Sequence, residues 1–176
     1  MQDPNRTITR CVSLLEQAID LIKRLDVDLY SSTGPLSPRG SIGGHLRHIL
    51  DFYLNFLASL ESHRLDYNLR QRDVLIEHDP VYAIRRLSET IAALRSLSNL
   101  DGESPLLVSL EESGEGTSVW CISSVLRELD FLQSHTVHHF SLVAMLLRLH
   151  EIDPGAEFGV AASTLKYWKE EASCAQ

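Results

Sequence analysis

The chain has 176 residues, of which 44% are hydrophobic, 23% charged and 7% aromatic, and this composition is that of one ordinary globular domain. With nine glycines and six prolines, collagen-like and low-complexity classes are excluded. The net charge of −8, all of it from residues 101–176, argues against general nucleic-acid binding, because phosphate backbones repel an acidic surface.

Two amphipathic helices separated by a loop are predicted first along the chain. Apolar residues recur at helical spacing over residues 7–25. Residues 26–40 end in SSTGPLSPRG, a composition typical of a loop. Ser41 is placed to cap a second helix that runs to about Ser62. The glycine pair at residues 43–44 either weakens the first turn, by roughly 1 kcal/mol per residue relative to alanine, or permits close helix packing.

A third helix and a hairpin are predicted next. Asp79 and Pro80 are a cap and a first-turn proline for a helix over about residues 80–97. Within residues 105–122, the apolar stretches PLLVSLEE and TSVWCIS flank a Ser-Gly-Glu-Gly turn and predict a short β-hairpin.

The last long helix completes the predicted fold. Ser123 or Ser124 caps a helix over about residues 125–152, which ends before an Asp-Pro pair, and a tail with one or two helical turns follows. Because four amphipathic helices must bury their apolar faces and there is no βαβ alternation, we predict an all-α four-helix bundle. The predicted bundle is a single domain over residues 1–176, with the hairpin inserted before the last long helix.

Five of the eight histidines lie on two of these helices, His45 and His48 on the second, and His135, His138 and His139 on the fourth. Two histidines four residues apart share a helix face, so the fourth helix can chelate one divalent ion through His135 and His139. A third imidazole from a facing helix would complete a three-histidine site with one open position, as in catalytic zinc sites. Zincin, di-iron carboxylate, P-loop and Gly-x-Ser-x-Gly chemistries lack their motifs in this chain.

The segments GGHLRHILD at residues 43–51 and SHTVHH at residues 134–139 resemble the DinB/YfiT-like superfamily of metal-dependent enzymes. Helix number and order match over nearly the whole chain. The resemblance implies a four-helix bundle in which His48, His135 and His139 bind a divalent ion, with Zn²⁺ favoured over Ni²⁺, Fe²⁺ and Mn²⁺. It leaves His45 as the rival of His48.

The same resemblance implies a class of reaction. Family members include S-transferases and isomerases that use low-molecular-weight thiols such as bacillithiol or mycothiol, and the family often forms homodimers. His138 is commonly histidine in the family but is not the usual ligand, and residues 140–142, Phe-Ser-Leu, depart from the Arg-Gly-Gln often found there. We therefore expect a thiol-dependent S-transferase acting on a small-molecule substrate. The alternatives are a metal-dependent hydrolase and a non-catalytic, stress-linked metal-binding protein.

Neighbouring polar residues are candidates for supporting roles. Asp51 and Glu128 are spaced along their helices so that either could accept a ring N–H or act as a base, although ordinary helix carboxylates would have the same spacing. Arg70 and Arg72 follow the second helix and could hold the carboxylates of a thiol cofactor, or simply pair with nearby aspartates.

The cysteines and tryptophans are expected to be structural. Cys121 is predicted to lie in the hairpin core, and Trp120 and Trp168 to be packing residues. Three widely spaced cysteines without a Cys-x-x-Cys motif argue against a disulfide framework and favour a cytoplasmic location. The sequence also has no apolar run of the length that a membrane span needs.

Overall fold

The computed structural model describes residues 3–33, 40–69, 71–97, 100–110 and 119–174. These residues form helices for the most part, together with one small sheet. Arg70 and the predicted Ser-Gly-Glu-Gly turn lie outside them. In chain order the elements are α1 (Pro4–Ile22), α2 (Val27–Ser31), α3 (Ile42–Ser62), β1 (Arg64–Leu65), α4 (Leu75–His78), α5 (Pro80–Ser96), β2 (Pro105–Leu110), β3 (Val119–Ser124), α6 (Val125–Leu149) and α7 (Ala162–Cys174).

Three of the predicted helix starts are confirmed by their caps. The Ser41 hydroxyl accepts a hydrogen bond from the Gly44 amide, and the Asp79 carboxylate accepts from the amides at 81 and 82. Ser124 caps α6 by accepting from the Arg127 amide. Each cap satisfies a backbone donor that the first helical turn leaves unpaired. The first helix begins earlier than predicted, at Pro4, because Asp3 accepts from the Asn5 amide.

Two regions predicted as irregular contain short helices. α2 lies in the stretch predicted as a loop, and α4 lies in the polar connection after α3. Tyr30 of α2 is fully buried, and its hydroxyl donates to the carbonyl of Ile76 in α4 at 2.6 Å. These helices have 5 and 4 residues, too short for a hydrophobic period, so tertiary contacts determine them.

The predicted hairpin belongs to a three-stranded sheet. β2 pairs antiparallel with β3, as predicted, but β2 also pairs in parallel with the two-residue strand β1. Cys121 is exposed, which corrects the prediction of a core position. Trp120 is half-buried beneath the Arg64 guanidinium, 4.2 Å from the ring centre. Trp168 is 46% exposed, which corrects the prediction that it is a packing residue.

The long helices pack in alternation, and this packing forms the core. α1 and α3 each contact both α5 and α6. The buried side chains that fill the space between them include Leu15, Leu50, Tyr53, Phe56, Leu87, Leu132 and Phe140. The α3–α6 contact is the one that positions the histidines, because it brings the two histidine-bearing helices together. Among the described helices, none combines the length and the hydropathy that crossing a bilayer would require.

Candidate metal centre

Three histidines from α3 and α6 meet at one point, as the sequence predicted. One ring nitrogen from each of His48, His135 and His139 lies within 4.8 Å of the other two, and all three side chains are half-buried. A tetrahedral zinc site with Zn–N bonds of about 2.1 Å places its ligand nitrogens about 3.4 Å apart. Small ring rotations would therefore bring these nitrogens to coordination distance.

The ring packing keeps the three imidazoles facing one another. Ring centroids are 4.5 Å apart for His135 and His139, 4.6 Å for His48 and His139, and 5.1 Å for His48 and His135. The first pair comes from the four-residue spacing on α6, and α3 contributes the third ring across the helix interface. The candidate site could thus hold a divalent ion through three nitrogens.

His45 lies beside this cluster and contacts His139. Its Nδ1 atom is 2.9 Å from the Nδ1 atom of His139, a hydrogen-bond distance between helices. His138 is exposed and meets the His139 ring edge-on, with centroids 5.2 Å apart. His139 is therefore surrounded by four other imidazoles.

This crowding controls the protonation of His139. Burial, the largest cause, and charge repulsion from the neighbouring imidazoles together lower its pKa to about 3; those imidazoles are His135, His48, His45 and His138. Burial also lowers the pKa of His45, with a smaller contribution from His138. Both rings are consequently neutral at physiological pH, which is the form that binds a metal ion.

An aromatic wall lies on one side of the histidines, formed by Phe52, Tyr67 and Phe131. The Phe52 ring is 4.2 Å from the His135 ring and 4.8 Å from the His48 ring, measured between centroids. Tyr67 stacks on Phe52 at 4.8 Å, and Phe131 lies 5.5 Å from His135. Such an apolar shell restricts water on that side and lowers the local dielectric. This wall was not among the predicted features, although Phe52, four positions after His48, was a usable signal in the sequence.

Glu128, one of the two predicted supporting carboxylates, is buried behind this wall. It is 1% exposed and accepts hydrogen bonds from Tyr67 Oη at 3.0 Å, Ser123 Oγ at 2.6 Å and Arg127 Nη1 at 3.0 Å. Glu128 therefore anchors the ring of Tyr67, which also contacts Phe52 and Phe131. A role for Glu128 as a base stays a prediction.

Asp51, the other predicted carboxylate, is also buried and belongs to an ion-pair network. Arg47 donates from Nη1 to Asp51 Oδ2 and from Nε to Glu77 Oε1, both at 2.5 Å. The network joins α3 to α4 one turn from His48. The i, i+4 spacing of Arg47 and Asp51 can be recognised in the sequence, whereas the ion pair with Glu77 depends on the tertiary fold. A catalytic role for Asp51 stays a prediction.

The segment after α3 reaches the site through Tyr67. Arg72 is exposed and has a left-handed backbone, with φ of 49°. Its predicted role in binding a thiol's carboxylate remains a prediction, and Arg70 lies outside the described residues.

Comparison with known proteins adds little to this geometry. No protein-family model matches the chain. FK506-binding protein 5 from Rhizopus delemar is 25% identical over 108 residues, which are 61% of this chain and 28% of that protein. The aligned part of this chain thus spans less than a third of that relative.

Proposed function

We propose that this protein is a metal-dependent enzyme of the DinB/YfiT-like type, in which α1, α3, α5 and α6 form a four-helix bundle around a three-histidine site. The observation that carries the proposal is the cluster of His48, His135 and His139 nitrogens within 4.8 Å. The alternating contacts of the long helices support the bundle.

The donor set fits a divalent ion of the zinc type. Three neutral imidazoles are ligands that suit Zn²⁺, Ni²⁺ and Fe²⁺, and they leave the ion its full double charge. In a tetrahedral arrangement the three nitrogens would leave one position for water or substrate. We favour Zn²⁺ because its tetrahedral preference agrees best with three nitrogens from two helices.

The reaction we propose is thiol-dependent S-transfer to a small electrophile. A bound divalent ion would supply Lewis acidity, favouring ionisation of a thiol or of water at neutral pH. The protein's part is to bind and orient: the three histidines hold the ion, and the aromatic wall excludes water from one side. The thiol proton leaves, its sulfur bonds to the electrophilic carbon, and the leaving group departs with the electrons of the broken bond.

The charged residues have proposed parts in the same reaction. Asp51 and Glu128 are the proposed acceptors of the thiol proton, and Glu128, which lies behind the aromatic wall, would receive it only by relay. Arg72, and Arg70 with it, would hold the carboxylates of a low-molecular-weight thiol through charge-assisted hydrogen bonds.

A paired assay tests this function. The zinc-loaded protein would be incubated with 1-chloro-2,4-dinitrobenzene and a panel of cysteine-containing thiols, with chloride release and thioether formation measured. Activity that disappears in His135→Ala supports the proposal. Metal-dependent cleavage of p-nitrophenyl acetate without a thiol would instead favour the hydrolase. Zinc binding without turnover of either substrate class would favour the non-catalytic metal-binding protein.

A further inference from the structure

We propose that His45 is a positioning residue that orients His139 so that its Nε2 atom is the metal ligand. This inference rests on the proposed metal site and concerns a residue outside its three ligands. The proposal assigns a direction to the hydrogen bond between the His45 and His139 rings and a role in orienting His139.

The geometry that carries the proposal is the contact between the two Nδ1 atoms. They are 2.9 Å apart, and the rings are tilted by 47° with centroids 5.2 Å apart. His45 lies three residues before His48 on α3, so both side chains face α6. α3 thus presents one imidazole to the proposed ion and a second imidazole to one of the ligands on α6.

The chemistry of neutral imidazole sets the direction of this hydrogen bond. Each neutral ring has one N–H and one lone pair, and a metal takes the nitrogen that carries the lone pair. If His139 binds through Nε2, its proton is on Nδ1 and is donated to His45. The lone pair of His45 Nδ1 accepts it, so the proton of His45 is on its own Nε2. Binding through His139 Nδ1 would instead turn that lone pair to the ion and break the 2.9 Å contact.

A hydrogen bond to the remote nitrogen stabilises a metal-bound histidine in two ways. It fixes the tautomer and the ring rotation, and it makes the ligating nitrogen more basic. Loss of such a partner typically lowers metal affinity by about 10- to 100-fold. His138 provides the matched comparison, because it is exposed and contacts His139 through an edge-to-face ring arrangement.

Zinc affinity of a small set of variants tests the proposal, with competition against a chromophoric chelator as the assay. His45→Ala should weaken Zn²⁺ binding by about 10- to 100-fold. His45→Asn should restore most of the affinity, because its amide oxygen can lie where Nδ1 lies and accept the same hydrogen bond. His138→Ala should bind zinc like the wild type.

Long-range ¹H–¹⁵N spectra of the imidazoles provide a second measurement, which needs only the wild-type protein. Zinc should bind Nε2 of His139, and its Nδ1 should keep a proton. Coordination through Nδ1 would overturn the proposal, as would wild-type zinc affinity in His45→Ala. Equal loss in His45→Ala, His45→Asn and His135→Ala would also overturn it, by making His45 a ligand. Unchanged zinc binding in His135→Ala would instead refute the metal site itself.

Discussion

Replacing Gly43 by alanine should lower the melting temperature, because α3 begins in close contact with α2 and α4 at this residue. A Cβ atom on Gly43 would overlap the Glu77 carbonyl oxygen and lie 2.6 Å from Tyr30 Cε1. Overpacking of this kind costs about 1–3 kcal/mol, and the better helix propensity of alanine recovers up to about 1 kcal/mol. The overlapped Glu77 atom belongs to the backbone, so the upper end of the cost applies and the net loss is about 2 kcal/mol, which corresponds to roughly 4–8 °C for a chain of this length.

Gly44 is the matched control, since it is the adjacent glycine in the same helical turn. A Cβ atom there would lie 3.2 Å from Ser41 Oγ and 4.0 Å from a Glu77 carboxylate oxygen, and both are side-chain atoms that can move. Gly44→Ala should therefore melt at or slightly above the wild-type temperature in a circular-dichroism experiment, because the better helix propensity of alanine is not offset by a backbone clash. If Gly43→Ala melts at the same temperature as Gly44→Ala, the close approach of α3 to α4 is wrong.

Three further changes test the core, the histidine cluster and the aromatic wall. Iodoacetamide at mildly alkaline pH should alkylate the exposed Cys121 and spare the buried Cys11, because burial raises the pKa of the Cys11 thiol to about 11. Equal labelling of the two cysteines in a peptide map would contradict this packing. Urea titrations should show that the metal-free protein loses stability as pH falls from about 6.5 towards 3, because His139 binds a proton more readily in the unfolded state. His139→Asn should flatten this dependence of the free energy of unfolding on pH. The same pH dependence in His139→Asn as in the wild type would count against the burial of that ring. Tyr67→Phe removes a donor to buried Glu128 and should lower the free energy of unfolding by about 1.5–3 kcal/mol in chemical denaturation, whereas no change would show that this hydrogen bond is unimportant.

Local signals explain what the sequence could predict. The caps at Ser41, Asp79 and Ser124 act within three residues, so the starts of α3, α5 and α6 were readable. The candidate ligand pair on α6, His135 and His139, was equally predictable, because a four-residue spacing on a helix determines that two side chains share a face.

Contacts between distant residues explain what the sequence could not predict. β1 has two residues and forms because β2 pairs with it. Cys121 is exposed because the side chains of β3 are buried in a different pattern from the one predicted, which had placed Cys121 in the hairpin core. The Tyr67–Glu128 hydrogen bond spans 61 residues and the His45–His139 contact spans 94. Such partners depend on how the helices pack, and a single sequence carries no periodicity for them.

Zinc titration of the wild type and of three single variants tests the central claim most directly. The wild type should bind one Zn²⁺ per chain by calorimetry, and His48→Ala, His135→Ala and His139→Ala should each lose most of the affinity, because two imidazoles form a weak chelate. His63→Ala and His78→Ala, whose side chains are exposed, should bind like the wild type. Zinc binding that survives all three site variants, or that is lost in His63→Ala or His78→Ala, would contradict the three-histidine site.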